Sequence, residues 1–450
     1  MTRFLVVALA CLYIYNVSAD GGKDTLMTLK DCMEYAVSQS TKMRIQAADR
    51  SDERLTRRHN ILQTFTPSVS AQVYTNNQYG RNLDPETNTY KNVTTFYNGY
   101  SVSAGITLFD GFSSINNIRM ASILSKMGIS KERKTRDEIC LATMESYYNV
   151  IYYSEMEKTL EEQVKTATTA RDKALRQEEL GQKGHADVLQ MESELARRQY
   201  QLTNARNQRD EAMLTLKDIM FWPTDKELTV DRQVSAPMLA SVSTESLTEV
   251  AKSVLPSADI ASKSKDVALA DLRAARGSFS PTLSLYGGWS TTYYTYPGME
   301  GYSAQPFGTQ FKNNGGEYVQ LSLSIPIYDQ MGKHTTLKKK KNALIRAEAE
   351  YDQAIHDIER EVASAVNDRD GALAAYKQAD RLADVQKEAF ALSAKQFENG
   401  LISAIEYQTA SQTHLDAVAE RMNALLKLRI KDAVVRYYNG EDYITQCTAN

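Results

Sequence analysis

Two stretches of the chain alternate strictly between apolar and small or polar residues. Tyr100, Val102, Ala104, Ile106 and Leu108 are interleaved with Ser101, Ser103, Gly105 and Thr107. Val319, Leu321, Leu323, Ile325 and Ile327 are interleaved with Gln320, Ser322, Ser324 and Pro326. A period of two with one apolar face reads as a half-buried β-strand. Ser68 to Tyr79 and Thr282 to Tyr293 read as the hairpin partners of these strands. Each run has about 10–12 residues, the length a tilted strand needs to cross a bilayer.

Between the hairpins the pattern becomes helical. Ser113 to Leu180 has one glycine, Gly128, and no proline, and is rich in Ala, Glu, Lys, Leu and Met. These residues favour helix, and at 1.5 Å per residue the stretch makes a rod of roughly 100 Å. A second stretch, from about Lys333 to Asn399, repeats the pattern with Gly371 as its one glycine. The nine prolines all lie between Pro67 and Pro326, and none falls between Pro85 and Pro223. Proline breaks helix interiors, so the chain itself leaves these two stretches free to run on. Helices of this length imply coiled-coil packing.

The chain also repeats itself. Phe65-Thr66-Pro67-Ser68-Val69-Ser70 reappears 214 positions later as Phe279-Ser280-Pro281-Thr282-Leu283-Ser284. Leu108-Phe109-Asp110-Gly111 reappears 219 positions later as Ile327-Tyr328-Asp329-Gln330. Gln177 to Gly181 matches Gln396 to Gly400 at the same offset of 219. The offset changes once, so one hairpin carries a loop five residues longer. The expected organisation is a signal peptide over 1–19, then a first repeat over 20–220, with its hairpin near 66–109 and its helix pair near 113–220. A linker over 221–246 leads to a second repeat over 247–440, with its hairpin near 280–328 and its helix pair near 333–438. A tail over 441–450 ends the chain.

The signal peptide rests on Arg3, the apolar run Phe4 to Tyr15 and the small-residue site at Val17-Ser18-Ala19. A lipidation site at Cys11 is disfavoured because the apolar run continues past it. No later segment has the ~18 consecutive apolar residues that a membrane-spanning helix needs. Four strands per chain would leave open edges in lipid, where unpaired backbone groups are costly. Closure is therefore expected between copies: three copies of four strands give a twelve-stranded barrel, an even number in the bacterial range. The 26 tyrosines and the aromatic residues crowding the hairpins suit a membrane interface.

Composition excludes several classes. A net charge of -3 gives no basic surface for nucleic acid. Cys32, Cys140 and Cys447 have no paired spacing, and His59, His185, His334, His356 and His414 have no metal-ligand spacing. There is no nucleophile elbow, phosphate loop or dinucleotide fingerprint, so no catalytic residue, metal or cofactor is expected. Lys338-Lys339-Lys340-Lys341 reads as a solvated face.

Taken together, these features resemble the TolC-like outer-membrane efflux proteins across essentially the whole mature chain. The resemblance rests on the opening Met27-Thr28-Leu29-Lys30-Asp31-Cys32-Met33-Glu34-Tyr35-Ala36, the duplicated Phe-x-Pro entry into a strand and the duplicated aromatic-Asp exit before a long helix. It implies a mainly α fold with a membrane β-barrel: a homotrimeric α-barrel of long coiled-coil helices below twelve strands in outer-membrane lipid. It further implies a passive export duct that meets a periplasmic adaptor (membrane fusion protein) and an inner-membrane pump. Residues 221–246 would join a belt around the helical barrel. The other reading of the rods is a periplasmic coiled-coil scaffold without a pore, which leaves the amphipathic strands without a purpose.

Each half reverses at a glycine followed six residues later by an acid: Gly181 to Asp187, and Gly400 to Glu406. Glycine permits the positive φ of a tight reversal, and a carboxylate near a helix N-terminus opposes the macrodipole, so capping alone accounts for both acids. The resemblance adds a second role, in which the second tip lines the periplasmic aperture and Glu406 supplies a ring of three carboxylates. Where some members hold a Tyr and an Arg that tie the tips shut, this chain has Phe397 and Ile402. Closure is then expected from apolar contact through Phe397 and Leu401, with Leu180-Gly181 and Asn399-Gly400-Leu401 as the tips an adaptor touches.

Overall fold

The proline-free stretches form the two longest helices, each of 67 residues. In the computed structural model, residues 26–83, 88–237, 243–299 and 301–447 are described. The signal peptide expected over 1–19, with Cys11 inside it, lies outside them, as do residues 238–242 of the expected belt segment. The first half contains β1 (Leu26–Met27), α1 (Leu29–Gln39), α2 (Thr41–Phe65), β2 (Ser68–Gln78), β3 (Arg81–Leu83), β4 (Tyr90–Asn92), β5 (Thr95–Phe109), α3 (Ser113–Glu179) and α4 (His185–Met220). The second contains β6 (Thr229–Val230), α5 (Thr244–Val254), α6 (Pro256–Gly277), β7 (Thr282–Thr295), α7 (Phe307–Asn313), β8 (Gly316–Ser324), α8 (Gly332–Glu398), α9 (Ala404–Tyr438) and α10 (Tyr443–Gln446).

The four long strands form one antiparallel sheet in the order β2-β5-β7-β8. Register puts Val69, Ala71, Val73, Val102, Ala104, Ile106, Leu283, Leu285, Trp289, Leu321 and Leu323 on one face. The other face carries Ser70, Gln72, Ser101, Ser103, Ser290, Thr292, Gln320 and Ser322. On that polar face Tyr74, Tyr286 and Tyr318 lie across the glycines directly opposite them, Gly99, Gly105 and Gly288. The rings fold flat onto positions that lack a Cβ. The apolar face is open, with Val319 at 83% exposure. The sheet is thus apolar on one side and hydroxyl-rich on the other, the pattern of a strand set between lipid and water.

The alternation read from Val319 to Ile327 outruns its strand, because β8 stops at Ser324. Pro326 has no N–H to donate to a ladder. At the end of the sheet far from the helices, Tyr100, Trp289 and Tyr293 meet Phe307 and Phe311 of α7 at ring separations of 5.4 to 5.8 Å. Aromatic rings gathered there match a headgroup girdle. The helix α7 also closes an edge. Strand β7 runs five residues past its last pairing with β8. In that overhang Gln310 accepts from Tyr294 N (3.1 Å) and donates to Tyr294 O (3.0 Å), while Asn314 donates to Thr292 O (2.8 Å).

Each sheet-to-helix corner uses the same device. Gly111 and Phe112 have φ of 69° and 64°, and Gln330 and Met331 have 57° and 67°. After two left-handed residues the preceding aspartate caps the new helix. Asp110 Oδ2 accepts from Ser114 N at 2.8 Å, and Asp329 Oδ2 accepts from Lys333 N at 2.6 Å. This is why both halves leave the sheet through an aromatic-Asp pair.

No single globular core serves so long a molecule, so burial comes in layers along the rods. The largest cluster joins α1, α3, α4, α9 and α10 through Cys32, Met33, Cys140, Ile151, Leu216 and Leu426. The Cys32 and Cys140 thiols are wholly buried and pushed up to about 12 by desolvation, so they act as small apolar residues. Residues expected as a C-terminal tail include α10, whose Tyr443 is buried there and stacks on Tyr437 at 4.7 Å. A second cluster packs α5 against α8 and α9. Lys340, from the lysine run, pairs with Asp271 of α6 at 2.7 Å.

Two glycine substitutions separate helix propensity from packing. Gly371 lies inside α8 with open space where a Cβ would go, so Gly371→Ala should stabilise the chain by about 0.5–1 kcal/mol. Gly111 is left-handed, and a Cβ there would strike the carbonyl oxygen of Gly277. Gly111→Ala should therefore destabilise. Thermal unfolding in detergent checks both signs.

Candidate functional site

The ends of the two helical hairpins farthest from the sheet hold all six candidate residues. At the first tip α3 ends through Gly181, with φ 67°. Gln182 N–H donates to Gln177 O and Gly181 N–H to Glu178 O, each at 2.8 Å. At the second, Gly400 has φ 69°, Leu401 N–H donates to Gln396 O at 2.9 Å and Gly400 N–H to Phe397 O at 3.1 Å. Both are Schellman endings, in which a left-handed residue lets the chain satisfy the last carbonyls of the helix. The left-handed conformation favours glycine at both positions, with open space around each.

The two acids are held differently. Asp187 sits in the first turn of α4, whose N-cap Gly184 has no side chain to offer. Glu406 closes a capping box: its Oε2 accepts from Ser403 N (2.8 Å) and Ser403 Oγ (3.0 Å), and Ser403 Oγ accepts from Glu406 N (3.3 Å). The Ser403 backbone and hydroxyl donors hold this exposed carboxyl below its ordinary range, so it is charged at neutral pH. Capping thus engages Glu406 while leaving it at the surface. The Ser-x-x-Glu spacing of Ser403 and Glu406 is the mark of such a box in the sequence.

Phe397 and Leu401, paired in the sequence reading as closing contacts, part company. Leu401 is 72% exposed. Phe397 is buried in the chain's own tip core with Ala174, Val188, Met191, Ala404 and Tyr407. It stacks on Tyr407 at 4.9 Å and 22°, and Lys183 of the first tip lies 3.8 Å from its ring centroid. That cation–π contact, with Lys173 and Glu398 at 3.7 Å, joins the two hairpins at their ends. Desolvation lowers the Lys183 ammonium and pushes the Tyr407 phenol up to about 12. Side chains that hold the tips together are therefore Lys183, Phe397 and Tyr407, while Leu180, Leu401 and Ile405 face outward.

Farther along the hairpins lies a buried polar node that the sequence reading missed. Arg198 of α4, with a side chain 1% exposed, donates to Glu194 Oε1 (2.6 Å), Gln201 Oε1 (3.0 Å), Gln412 Oε1 (3.1 Å) and Ser411 Oγ (3.0 Å). Ser411 Oγ in turn donates to Gln163 Oε1 of α3 at 3.0 Å. The node ties α3 and α4 of the first half to α9 of the second. Its signal was available: Met191, Arg198, Ala205 and Ala212 recur every seven residues and are all buried, which marks Arg198 as a coiled-coil core position.

Among the described residues no group of three or more His, Cys, Asp or Glu could hold a metal ion, and no helix is long and apolar enough to cross a membrane. The second statement leaves the amphipathic sheet untouched.

Comparison with known proteins agrees with this geometry. The fold is similar to a membrane protein from Pseudomonas aeruginosa, at TM-score 0.78 and 16% identity, covering 93% of this chain and 91% of that one. It is also similar to the outer membrane protein VceC of Vibrio cholerae (TM-score 0.75, 12% identity, 91% and 96% covered). The open state of the Neisseria gonorrhoeae MtrE outer membrane channel matches at TM-score 0.74 and 17% identity, with 93% and 90% covered. No curated protein matches by sequence alone.

The node yields a test by substitution. Glu194→Ala leaves a buried guanidinium without its carboxylate and should cost about 3–5 kcal/mol, whereas Glu194→Leu with Arg198→Met should cost far less. Thermal unfolding of the parent and the two variants measures the difference. The sequence profile of the outer membrane efflux proteins covers residues 62–220 and 259–440, taking in both hairpins, both rods and both tips, and the chain belongs to that family.

Proposed function

We propose that three copies of this outer-membrane efflux channel subunit share one barrel, and that the helical tips form its periplasmic aperture. The observation that carries the reading is the sheet, apolar on one face and polar on the other, with β2 and β8 as its edge strands. Such edges cannot stand in hydrocarbon, and three sheets of four strands close a twelve-stranded wall with the polar face inward. The rods continue the conduit through the periplasm. The duct holds no catalytic chemistry: it is passive, and energy comes from an inner-membrane pump joined through a periplasmic adaptor. The outward-facing Leu180, Leu401 and Ile405 offer that adaptor an apolar ring at the tips.

At the aperture three copies of Glu406 would present carboxylates to one axis. Charges at close quarters in a narrow pore select ions by sign, more strongly at low salt. Single-channel recording of purified trimers is the test. Glu406→Gln should lower cation preference and weaken block by divalent cations added from the periplasmic side, and Asp187→Asn should do less. Because the Ser403 donors hold the Glu406 carboxyl below its ordinary range, cation preference in the parent should survive through the usual carboxylate range and fade only at lower pH. Full selectivity in Glu406→Gln, with loss in Asp187→Asn, would reverse the assignment of the tips. If neither substitution matters, both acids serve only their helices.

A further inference from the structure

The net charge of -3 conceals a local excess of the opposite sign. In the roughly twelve helical residues nearest the sheet, a band of about 18 Å at 1.5 Å per residue, the four helices that meet it are basic. Helix α2 brings Arg54, Arg57 and Arg58, and α8 brings Lys333 and the run Lys338 to Lys341. Helices α3 and α6 add Arg119, Arg273 and Arg276. The acids of the band are Asp266 and Asp271, both on α6. Helix α2 has none after Glu53, α3 none before Glu132 and α8 none before Glu348.

The chain itself does not neutralise this band. Among the described residues its one ion pair is Lys340 with Asp271, and the remaining cations, Lys333 apart, are exposed. Farther along the rods cations do find carboxylates. Arg206 meets Glu157 at 3.1 Å and Glu161 at 2.7 Å, and Lys431 meets Asp368 at 2.8 Å. Helix stability also opposes the placement. Lys333 stands in the first turn of α8, where the macrodipole favours an acid, and Lys338 with Lys341 is a like-charged i,i+3 pair. Both cost the helix stability, so the charge answers to something outside the chain.

The band begins where the apolar surface of the sheet ends. Ile325, Ile327 and Tyr328 below β8 are exposed, Ile327 at 94%, as are Phe65 and Phe112 at the neighbouring corners. Lipid headgroups occupy about 5–8 Å on each side of the hydrocarbon. Arg276 and Lys333 lie one residue from the sheet-side ends of α6 and α8, and Lys338 about 9 Å beyond the start of α8. Long basic side chains reach back along apolar surface while their charge stays in water. The lysine run also wraps its helix. Lys340 turns to α6 through Asp271, so at about 100° per residue Lys339 and Lys341 lie on the two open faces of the helix layer. One of those faces continues the apolar side of the sheet.

We infer that this band is a collar for the anionic phospholipid headgroups of the periplasmic leaflet, with Lys338, Lys339 and Lys341 as its densest part. The collar needs the sheet to lie in the membrane, but no particular number of copies in the barrel. Basic clusters beside a bilayer draw in anionic lipid, by roughly fivefold for each Lys or Arg, within a Debye length of about 8 Å at physiological salt. The lipid phosphodiester supplies the acceptor oxygens and the negative charge that the band lacks. Such a collar also fixes the depth of the sheet. Moving it toward the outside would carry unpaired cations into hydrocarbon, and moving it inward would expose Ile325 and Ile327 to water.

Native mass spectrometry of the detergent-purified full chain, titrated with phosphatidylglycerol or with phosphatidylcholine of the same acyl chains, tests the collar. The parent should hold phosphatidylglycerol roughly tenfold more strongly. Lys338→Gln with Lys339→Gln and Lys341→Gln should lose most of that preference. Lys377→Gln with Lys387→Gln and Lys427→Gln, exposed farther along the rods, should keep it. No preference in the parent, or an unchanged one in the first variant, would overturn the collar. Equal loss in the distant variant would reduce the effect to overall charge and overturn it too. Co-sedimentation with purified peptidoglycan that falls in the first variant, while its lipid preference stays, would assign the lysines to the cell wall instead. The same spectra weigh the assembly: a monomer with the parent's preference leaves the collar standing and overturns the shared barrel.

Discussion

A backbone N–H or C=O in hydrocarbon has no water to turn to, and the architecture of this chain follows from that constraint. Within one copy the sheet satisfies its interior strands, and α7 satisfies the overhang of β7 with the side chains of Gln310 and Asn314. The outer edges of β2 and β8 are strands of the same kind as those paired inside. Apolar residues on one face and hydroxyls on the other then give the sheet an orientation. The glycines under Tyr74, Tyr286 and Tyr318 let the polar face carry large rings without filling the space beside it.

Below the sheet the problem is different. Rods of this length have too much surface for one core, so stability is spread over separate layers. Alanine recurs among the buried positions of α4 and α8, at Ala205, Ala212, Ala347, Ala365, Ala379 and Ala383, and small side chains allow close approach of the helices. Arg198 interrupts that pattern with charge. A buried guanidinium is tolerated because its donors meet Glu194, Gln201, Ser411 and Gln412, and such a node admits few alternative alignments of the hairpins it joins. The tips beyond it are held by the contact of Lys183 with Phe397 and by the Ser403–Glu406 box, so the exposed side chains there are left for other partners.

Much of this was legible in the sequence, for physical reasons. Strand and helix have distinct periods, two and 3.6, and this chain keeps each period over long stretches. Prolines are confined to the joints, and the paired offsets of 214 and 219 expose the duplication. The helix-ending glycines Gly181 and Gly400 were equally readable, because a left-handed reversal narrows the choice of residue. So was the membrane character of strands too few to close alone.

What escaped were contacts between segments distant in the chain. Gln310 reads as one polar residue in a loop until β7 outruns β8 beside it. Glu194 and Arg198 read as an ordinary surface pair at i and i+4 until α9 covers them. Phe397 reads in the sequence as an apolar candidate for closure, at the place where some relatives hold a Tyr; packing sets its ring on Tyr407 and beneath Lys183. The sequence by itself determined element type, order, duplication and the amphipathic faces, since these depend on local period and backbone conformation. Which side chain of a tip is buried and which exposed, and where a charge can be buried, were decided by the tertiary structure, because burial depends on what the neighbouring hairpin brings against each face.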